Sequence, residues 1–377
     1  MNSPADIERI APILALSRQI NGALLIDVRE DAERAAGMAQ GATGVAMSQL
    51  LEAPGQYIDP SQEILLICAK GMRSFNAALA LRARGYDHIA SVDGGTERWR
   101  AEGLPMTPPL ADADFLERYA RQMRLPGVGF NGQRKLASRR VLIVGAGGLG
   151  SPAAFYLAAA GVGQLRLVDD DVVDRSNLQR QILHAEDRVG VPKVESARIA
   201  LTALNPRVGV ETFVERVTSR NVEALVDGCD VVLDGSDNFA TRYLLNDACV
   251  KLEKPLVYGA VQRFAGQVSV FDAGRHRGDA PCYRCLFPEP PSAQDAPNCA
   301  EAGVLGVLPG LIGLMQANET LKLLLDLGEP LAGRLLSFDA LSARFHESRL
   351  RPDPDCPVCA KGRAFPGYID YAKFCSV

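Results

Sequence analysis

Short, continuous apolar runs alternate with helix-like segments in the first hundred residues of the chain. The runs ALLIDV (23–28), EILLICA (63–69) and HIASVDGG (88–95) are typical of buried parallel strands. Residues 73–86 carry apolar side chains at helical spacing, and residues 96–105 predict another helix and its exit. Strands that alternate with helices form parallel sheets, so the pattern predicts a small α/β unit.

The same alternation continues in a larger unit that begins near Asp112. Residues 104–114, rich in proline and small side chains, predict a linker region between the two units. A strong amphipathic helix is predicted at 310–328, and the sheet is expected to be mostly parallel with helices on both faces. The predicted strands, some with the turn that follows, are 139–150, 164–171, 229–238 and 254–261.

Composition argues against nucleic-acid binding, export and membrane insertion. The chain is 47% hydrophobic and 23% charged with a net charge of −4, which gives no support for nucleic-acid binding. Acidic residues near the N-terminus argue against an export signal. Residues 141–165 carry no charge, but glycines and Pro152 interrupt them, so we expect no membrane segment and a cytoplasmic protein. Nine cysteines, an odd number, point to thiol or metal chemistry over a disulfide framework.

The sequence GAGGLG (145–150) follows a predicted strand and precedes a predicted helix. Glycines let the backbone approach a phosphate, and the helix N-terminus adds unpaired N–H groups. Asp169 ends the next strand, where an acid can bind a ribose. Ser151 stands where a Walker loop needs lysine, so this loop predicts an adenine nucleotide, either NAD or ATP. The candidate loop contacts are Gly145, Gly147, Gly148 and Gly150.

Polar and cationic residues after the ribose acid favour a triphosphate over a nicotinamide. They cluster in SNLQRQ (176–181) and around Lys193, and Asp237 follows a later strand, where an acid can hold Mg²⁺. Each of these charges alone is typical of a solvated surface; their order along the chain carries the prediction. The candidate nucleotide ligands here are Asp171, Ser176, Asn177, Gln179, Arg180, Lys193, Asp237 and Asn238.

Five motifs occur in the order of one known family: RYARQ, GAGGLG, SNLQRQ, PKVESA and DGSDN. Over residues 113–362 the chain resembles the MoeB/ThiF family of ubiquitin-activating-like adenylyltransferases for small sulfur-carrier proteins. The resemblance implies a Rossmann-like domain, ATP and Mg²⁺, and a homodimer. The roles that it implies are nucleotide contact for Gly148, ribose binding for Asp169, phosphate binding for Asn177, Arg180 and Lys193, Mg²⁺ binding for Asp237, and contact with the partner subunit's nucleotide for Arg121.

Two Cys-x-x-Cys pairs lie far apart in the larger unit. Each pair can place two thiolates on one metal, and four thiolates complete a closed tetrahedral zinc site. The alternatives are a redox dithiol or unrelated buried cysteines. The resemblance also implies a structural zinc at matching pairs. The predicted zinc ligands are Cys282, Cys285, Cys356 and Cys359.

The segment CAKGMRS (68–74) places a cysteine at a strand end, just before a helix. Loop N–H groups, the helix N-terminus and Arg73 would favour a thiolate at Cys68. With IDVRE (26–30) and Gly94-Gly95, this loop resembles a single-domain rhodanese over residues 1–108, in which the cysteine carries a persulfide. A tyrosine phosphatase, the minor alternative, has a histidine before the cysteine and one more residue before the arginine.

The combined prediction is a bifunctional enzyme. It adenylates the C-terminal Gly-Gly carboxylate of a small ubiquitin-like sulfur carrier, of the molybdopterin-synthase type, and then loads sulfur from Cys68. Cys299 is a candidate for resolving the acyl disulfide, and thiosulfate or a cysteine desulfurase is the expected donor. A thiamine-pathway carrier, a carboxylate on tRNA, an NAD-dependent oxidoreductase with a sulfur relay, and a non-catalytic scaffold are the alternatives. The expected domains are a rhodanese-like domain at 1–108, a linker at 109–112, the adenylyltransferase domain at 113–362 and a tail at 363–377.

Overall fold

The chain folds into two compact units of the predicted α/β class. A computed structural model describes residues 7–289 and 303–369. Contacts group the chain into Met1–Gln133 and Arg134–Val377, each with its own core. Among the described residues, no helix combines the length and the hydropathy that crossing a membrane would require.

The first unit is built on a five-stranded parallel sheet. Its order is β1-β5-β4-β2-β3, with β4 at the centre, and all four residues of β4 are buried. The three strands predicted from apolar runs are confirmed, whereas β1 and β3 are too short to produce such a run. The strands are β1 (Glu8–Ile10), β2 (Leu24–Asp27), β3 (Thr43–Gly44), β4 (Ile64–Ile67) and β5 (Ile89–Val92), and the helices are α1 (Pro12–Ile20), α2 (Asp31–Arg34), α3 (Met47–Glu52), α4 (Met72–Arg82), α5 (Gly95–Ala101) and α6 (Ala113–Arg118). Helix α7 (Gly129–Ala137) includes the residues at which the first unit ends and the second begins.

The second unit contains an eight-stranded sheet, of which five neighbouring strands are parallel. Their order is β10-β9-β6-β7-β8, so the strand order reverses beside β6, where open α/β sheets bind ligands. The strands of this parallel part are β6 (Arg140–Val144), β7 (Gln164–Val168), β8 (Gly209–Phe213), β9 (Val231–Asp234) and β10 (Leu256–Gln262), and the helices of the unit are α8 (Gly150–Ala160), α9 (Lys193–Leu204), α10 (Val222–Val226), α11 (Phe239–Lys251), α12 (Tyr283–Leu286) and α13 (Val307–Leu325).

Three antiparallel strands extend this sheet, and the apolar pattern did not identify them. They are β11 (Ala265–Phe271), β12 (Arg334–Asp339) and β13 (Arg344–Arg349), which pair in sequence after β10. β13, with the sequence RFHESR, is almost wholly exposed and lies at the sheet edge, so no apolar run marks it. The expectation of a mostly parallel sheet therefore holds for one side of the sheet only.

Helix α13 is buried along a face that is only partly apolar. It packs on α8, β10 and β11, and it buries the polar side chains of Gln316, Glu319 and Thr320 while Val307 and Leu314 are exposed. The structure confirms the predicted helix, at Val307–Leu325, but its buried face mixes apolar and polar side chains, so the prediction of strong amphipathicity was wrong. The buried Gln316 amide donates to the backbone oxygen of Asp234, at 2.7 Å, which connects the helix to the end of β9.

Candidate functional site

The glycine loop makes a tight turn between β6 and α8. Gly145 has φ of 92°, in the left-handed region that favours glycine, and a Cβ there would stand 2.6 Å from the oxygen of Gly235. A Cβ on Gly150 would stand 1.9 Å from the oxygen of Gly145. Two of the predicted glycines are therefore required by close backbone contacts, and the turn leads directly into the N-terminus of α8.

Asp169 lies beside the glycine loop, and Lys193 lies close to Asp169. The Asp169 carboxylate accepts the N–H of Ala146 at 2.8 Å and the N–H of Asp171 at 2.9 Å. Burial raises the pKa of Asp169, and the Lys193 charge opposes this rise. The Lys193 ammonium is buried and lies 2.7 Å from the Asp171 carboxylate. The structure thus brings three sequence-predicted residues together next to the glycine loop.

The segment 176–181 lies against the other side of the loop. A Cβ on Gly148 would lie 3.5 Å from Cγ of Arg180, and the Arg180 guanidinium donates to Asn177 at 2.7 Å. Ser176 is exposed and donates to Asp174 at 2.5 Å. Gln179 is exposed and lies near Gly306, at the start of α13. Arg180 is therefore the cation of this segment that lies at the glycine loop.

Sequence reasoning missed His184, which links the loop to α9. Its Nε2 lies 2.9 Å from the oxygen of Ala146, and its Nδ1 lies 2.9 Å from Oγ of Ser196. The ring is buried, and burial lowers its pKa. Because Asp169 holds the other side of the same Ala146 residue, the loop is fixed from both sides. The available signal was the position of His184, three residues after the SNLQRQ motif.

Asp237 and Asn238 follow β9 at the carboxyl edge of the sheet. Asn238 caps helix α11 by accepting the N–H of Thr241 at 2.9 Å, which gives it a structural contact that was not predicted. Asp237 is exposed, and its carboxylate makes no hydrogen bond or ion pair within the described part of the chain. An uncommitted carboxylate at this edge fits a magnesium ligand.

The two Cys-x-x-Cys pairs meet in space. The sulfurs of Cys282 and Cys356 are 3.6 Å apart, those of Cys285 and Cys359 3.4 Å, and those of Cys282 and Cys285 4.0 Å. Four thiolates that bind one zinc at about 2.3 Å would lie about 3.8 Å apart. Their mutual distances therefore fit a tetrahedral zinc site, and no comparable cluster of thiols occurs elsewhere in residues 7–289 and 303–369.

Cys68 lies in a loop of the first unit that curls around its sulfur. The N–H of Gly71 donates to the Cys68 sulfur at 3.1 Å, and the Ser74 hydroxyl lies 3.4 Å from it. Gly71 has φ of 91°. A Cβ on Gly95 would stand 2.1 Å from the Cys68 oxygen, so a glycine at this position is needed for the close approach of the two loops. The cysteine is 1% exposed.

Arg73 is the second residue of α4, between Gly71 and Ser74, which both contact the Cys68 sulfur. Its guanidinium forms two hydrogen bonds with Glu33, at 2.6 and 2.8 Å. Hydrogen bonding to Arg73 lowers the pKa of Glu33, although burial opposes the shift. The Arg73 charge, which was expected to favour a thiolate at Cys68, is therefore paired with a carboxylate from α2.

The remaining residues considered in the sequence analysis are Arg121, Cys299, Cys229 and Cys249. Arg121 is exposed and precedes a short 3-10 helix, Gln122–Arg124, within the first unit. Cys299 lies outside the described residues. Cys229 and Cys249, which were expected in the core, are buried.

Two family models match the chain. The model of the ThiF family covers residues 119–358, more than half of the chain, and the model of the rhodanese-like domain covers residues 13–102. These ranges contain the glycine loop with its surrounding residues and the Cys68 loop, respectively.

Curated relatives are identical to this chain at about half of the aligned residues. A SAMP-activating enzyme E1 of Haloferax volcanii is 53% identical over 71% of this chain and 97% of the relative. A sulfur carrier protein adenylyltransferase of Thermus thermophilus is 51% identical over 70% of this chain and 97% of the relative. An adenylyltransferase and sulfurtransferase MOCS3 of Drosophila yakuba is 50% identical over 70% of this chain and 58% of that protein.

Solved structures share the fold at lower identity. MccB of E. coli with MccA-N7isoASN aligns with a TM-score of 0.56 and 22% identity, over 64% of this chain and 75% of that chain. PaaA aligns with a TM-score of 0.55 and 24% identity, over 65% and 76%. The motifs, the geometry and these matches agree: the chain belongs to the ThiF family, and its residues 13–102 form a rhodanese-like domain.

Proposed function

We propose that the protein adenylates the C-terminal carboxylate of a small ubiquitin-like sulfur carrier that ends in Gly-Gly, and then converts it to a thiocarboxylate. One observation carries the proposal: a single chain holds a glycine loop fixed by Asp169 and a cysteine loop that donates a hydrogen bond to the Cys68 sulfur. The names of relatives, a sulfur carrier protein adenylyltransferase and a combined adenylyltransferase and sulfurtransferase, support both halves.

The first half-reaction needs charge neutralisation and positioning. A terminal carboxylate has a pKa of about 3.5, so it is ionised at neutral pH and needs no general base. It attacks the α-phosphate of ATP, the bond to the β-phosphate oxygen breaks, and pyrophosphate leaves. Lys193 and Arg180, on either side of the glycine loop, would neutralise the phosphates, and Asp169 would bind the ribose.

Asp237 would hold Mg²⁺, which supplies further charge neutralisation on the phosphates when it is bound. The proposal for this residue is supported by its exposed and uncommitted carboxylate at the carboxyl edge of the sheet.

The second half-reaction would begin with a persulfide on Cys68. The Cys68 thiolate attacks the outer sulfur of a sulfane donor, and the S–S bond of the donor breaks. Thiosulfate then leaves as sulfite, and a persulfidated cysteine desulfurase leaves as its cysteine thiolate. The terminal sulfur then attacks the adenylate carbonyl, and AMP leaves with the electron pair of the broken bond. The product is an acyl disulfide between the carrier and Cys68.

Release of the thiocarboxylate would need a second thiol, for which we propose Cys299. Its thiolate attacks the Cys68 sulfur, so the carrier leaves as a thiocarboxylate and a Cys68–Cys299 disulfide remains. A cellular dithiol would then reduce that disulfide. An unchanged thiocarboxylate yield in a Cys299→Ala variant, measured with a dithiol present and absent, would remove Cys299 from this step.

The four clustered cysteines would bind a structural zinc. All four ligand positions would be filled by thiolates, so no position would be left for a substrate, and the ion would join α12 to the segment near Cys356.

Two further parts of the proposal concern partners. Arg121 would contact the nucleotide of a partner subunit, which implies a homodimer. We favour the small subunit of molybdopterin synthase as the carrier, with a thiamine-pathway carrier as the alternative. The order of motifs along residues 113–362 supports the first part, and the exchange assay described next chooses between the two carriers.

ATP–pyrophosphate exchange tests the adenylation half. Exchange should require the protein, Mg²⁺ and a carrier that ends in Gly-Gly, and a carrier truncated by those two glycines should give none. Exchange that proceeds equally well with the truncated carrier would contradict the proposal. Comparing the molybdopterin and thiamine carriers in the same assay would choose between them.

A further inference from the structure

A buried ion pair lies directly beneath the predicted magnesium residue. Asp234, the last residue of β9, has no exposed surface, and Arg242, in the first turns of α11, is 9% exposed. The Arg242 Nε lies 3.7 Å from Oδ2 of Asp234. Neither residue belongs to the set that we assigned to nucleotide binding.

Both members of this pair bind the same residue, Ser236. Oδ1 of Asp234 accepts the Ser236 N–H at 3.0 Å and the Ser236 hydroxyl at 2.6 Å. Nη2 of Arg242 donates to the Ser236 carbonyl at 3.0 Å. Since that carbonyl belongs to the peptide bond that begins Asp237, the pair fixes the backbone from which the Asp237 side chain projects.

The segment held by this pair also contacts the glycine loop. Gly235 donates its N–H to Val144 at 2.8 Å, and a Cβ on Gly235 would stand 2.8 Å from the oxygen of Gly145 and 3.2 Å from the nitrogen of Gly150. Gln316 holds the other side of β9 by donating to the Asp234 oxygen at 2.7 Å. The glycine loop and the backbone before Asp237 are therefore in direct contact.

This arrangement is costly for stability. Burial raises the pKa of Asp234, and the Arg242 charge opposes the rise only in part. Within the described structure, Oδ2 of Asp234 accepts no hydrogen bond. Buried charges with incomplete hydrogen bonding commonly destabilise a fold relative to apolar side chains of similar volume. Because the Asp234–Arg242 pair lies beside a predicted metal ligand, a role in positioning that ligand explains the pair better than a contribution to the stability of the fold.

We infer that Asp234 and Arg242 are positioning residues that hold the Asp237 carboxylate in the orientation required for Mg²⁺ beside the glycine loop. The inference rests on the proposed function, because it concerns the metal site of the adenylation step. Residues that orient metal ligands typically change metal affinity or activity about 10- to 100-fold when they are replaced.

Asp234→Asn and Arg242→Lys test this inference, with Asp247→Asn as a matched control. Asp247 also lies on α11 and forms a buried ion pair, with Arg284 at 2.8 Å, but it makes no contact with Ser236. The half-saturating Mg²⁺ concentration for carrier-dependent exchange should rise about tenfold or more in both test variants and stay near the wild-type value in the control. The dissociation constant for ATP without metal, measured by calorimetry, should change by a smaller factor than the half-saturating Mg²⁺ concentration.

A second readout needs neither metal nor activity. In the metal-free protein, hydrogen exchange should become faster at residues 235–238 in Asp234→Asn and Arg242→Lys, while exchange in β6 and β7 stays as in the wild type. In Asp247→Asn, exchange at 235–238 should be unchanged.

The outcomes separate this inference from the proposed function. A wild-type protein without carrier-dependent ATP–pyrophosphate exchange overturns the proposed function. In that case, hydrogen exchange at residues 235–238 still decides whether the Asp234–Arg242 pair fixes the backbone before Asp237. An active wild type whose test variants match Asp247→Asn in both Mg²⁺ dependence and hydrogen exchange overturns the inference. If Asp234→Asn does not fold, Arg242→Lys, which keeps the buried positive charge, decides the question alone.

Discussion

The carboxylate of Asp169 accepts the backbone N–H of Ala146 at 2.8 Å, so the acid at the end of β7 is bonded to the glycine loop at the end of β6. The same carboxylate accepts the N–H of Asp171, whose own side chain binds Lys193. A residue predicted to bind ribose therefore also orders the backbone that would bind phosphate. Ribose and phosphate binding should respond together when this residue is replaced.

Replacing Asp169 with asparagine should weaken ATP binding about 10- to 100-fold. Hydrogen bonds to charged groups contribute about 1.5–3 kcal/mol each, and the substitution removes the charge. The Michaelis constant for ATP in carrier-dependent exchange is the measurement. Asp170→Asn is the control, since Asp170 is exposed and lies 3.3 Å from Arg216. Equal Michaelis constants for ATP in the two variants would count against the role of Asp169 in ATP binding.

Replacing Gly71 with alanine should reduce sulfur transfer from thiosulfate to cyanide about 10- to 100-fold. The new Cβ would stand 3.1 Å from the nitrogen of Gly94, in a loop whose N–H binds the Cys68 sulfur. Small displacements of reacting groups have effects of this size. Adenylation should be unaffected.

Gly85→Ala is the matched control for backbone strain. Gly85 has φ of 93°, close to the 91° of Gly71, but a Cβ there meets nothing within 4 Å. Both substitutions carry a similar conformational cost, and only Gly71→Ala disturbs the loop. Similar losses of sulfurtransferase activity in both variants would mean that strain alone explains the effect.

Cys356→Ser should remove the zinc and lower the temperature of unfolding. Native mass spectrometry should find one zinc per wild-type chain and none in the variant, because three thiolates bind zinc more weakly than four. Cys249→Ser is the control: Cys249 is buried outside the cluster, so this variant should keep its zinc even though its core is altered. A Cys356→Ser protein with a full complement of zinc would refute the assignment.

His184 should make stability depend on pH. Burial lowers its pKa in the folded state, so below about pH 6.5, the ordinary value, the unfolded chain binds a proton that the folded chain does not. The free energy of unfolding should therefore fall as the pH drops below 6.5, by up to about 1.4 kcal/mol per pH unit. Denaturant unfolding of the wild type and His184→Gln from pH 5 to 8 should show this extra slope in the wild type only.

Residues with local chemical signatures could be predicted from the sequence. The glycine loop, Asp169 and the Cys68 loop each combine a strand end, a turn and a helix start, and these features are short enough to be read from neighbouring residues. The two cysteine pairs could be predicted to meet because four thiolates satisfy one tetrahedral site, although nothing in the spacing gives the path between them.

Residues that act through long-range contacts could not be predicted in this way. Gln316 reaches the end of β9 from a helix that follows it by many residues, and His184 binds Ala146 across the loop. Neither side chain belongs to a motif that was identified in the sequence. Strand β13 was missed for the opposite reason, because its exposed side chains give no apolar pattern.

Intact-mass analysis of a carrier protein tests the central claim most directly. A carrier ending in Gly-Gly would be incubated with the protein, ATP, Mg²⁺, thiosulfate and a dithiol. The account predicts a mass gain equal to the replacement of one oxygen by sulfur, and its loss in Cys68→Ala, which should still form the carrier adenylate. A carrier that gains sulfur equally well with Cys68→Ala, or that forms no adenylate with the wild type, would contradict the account.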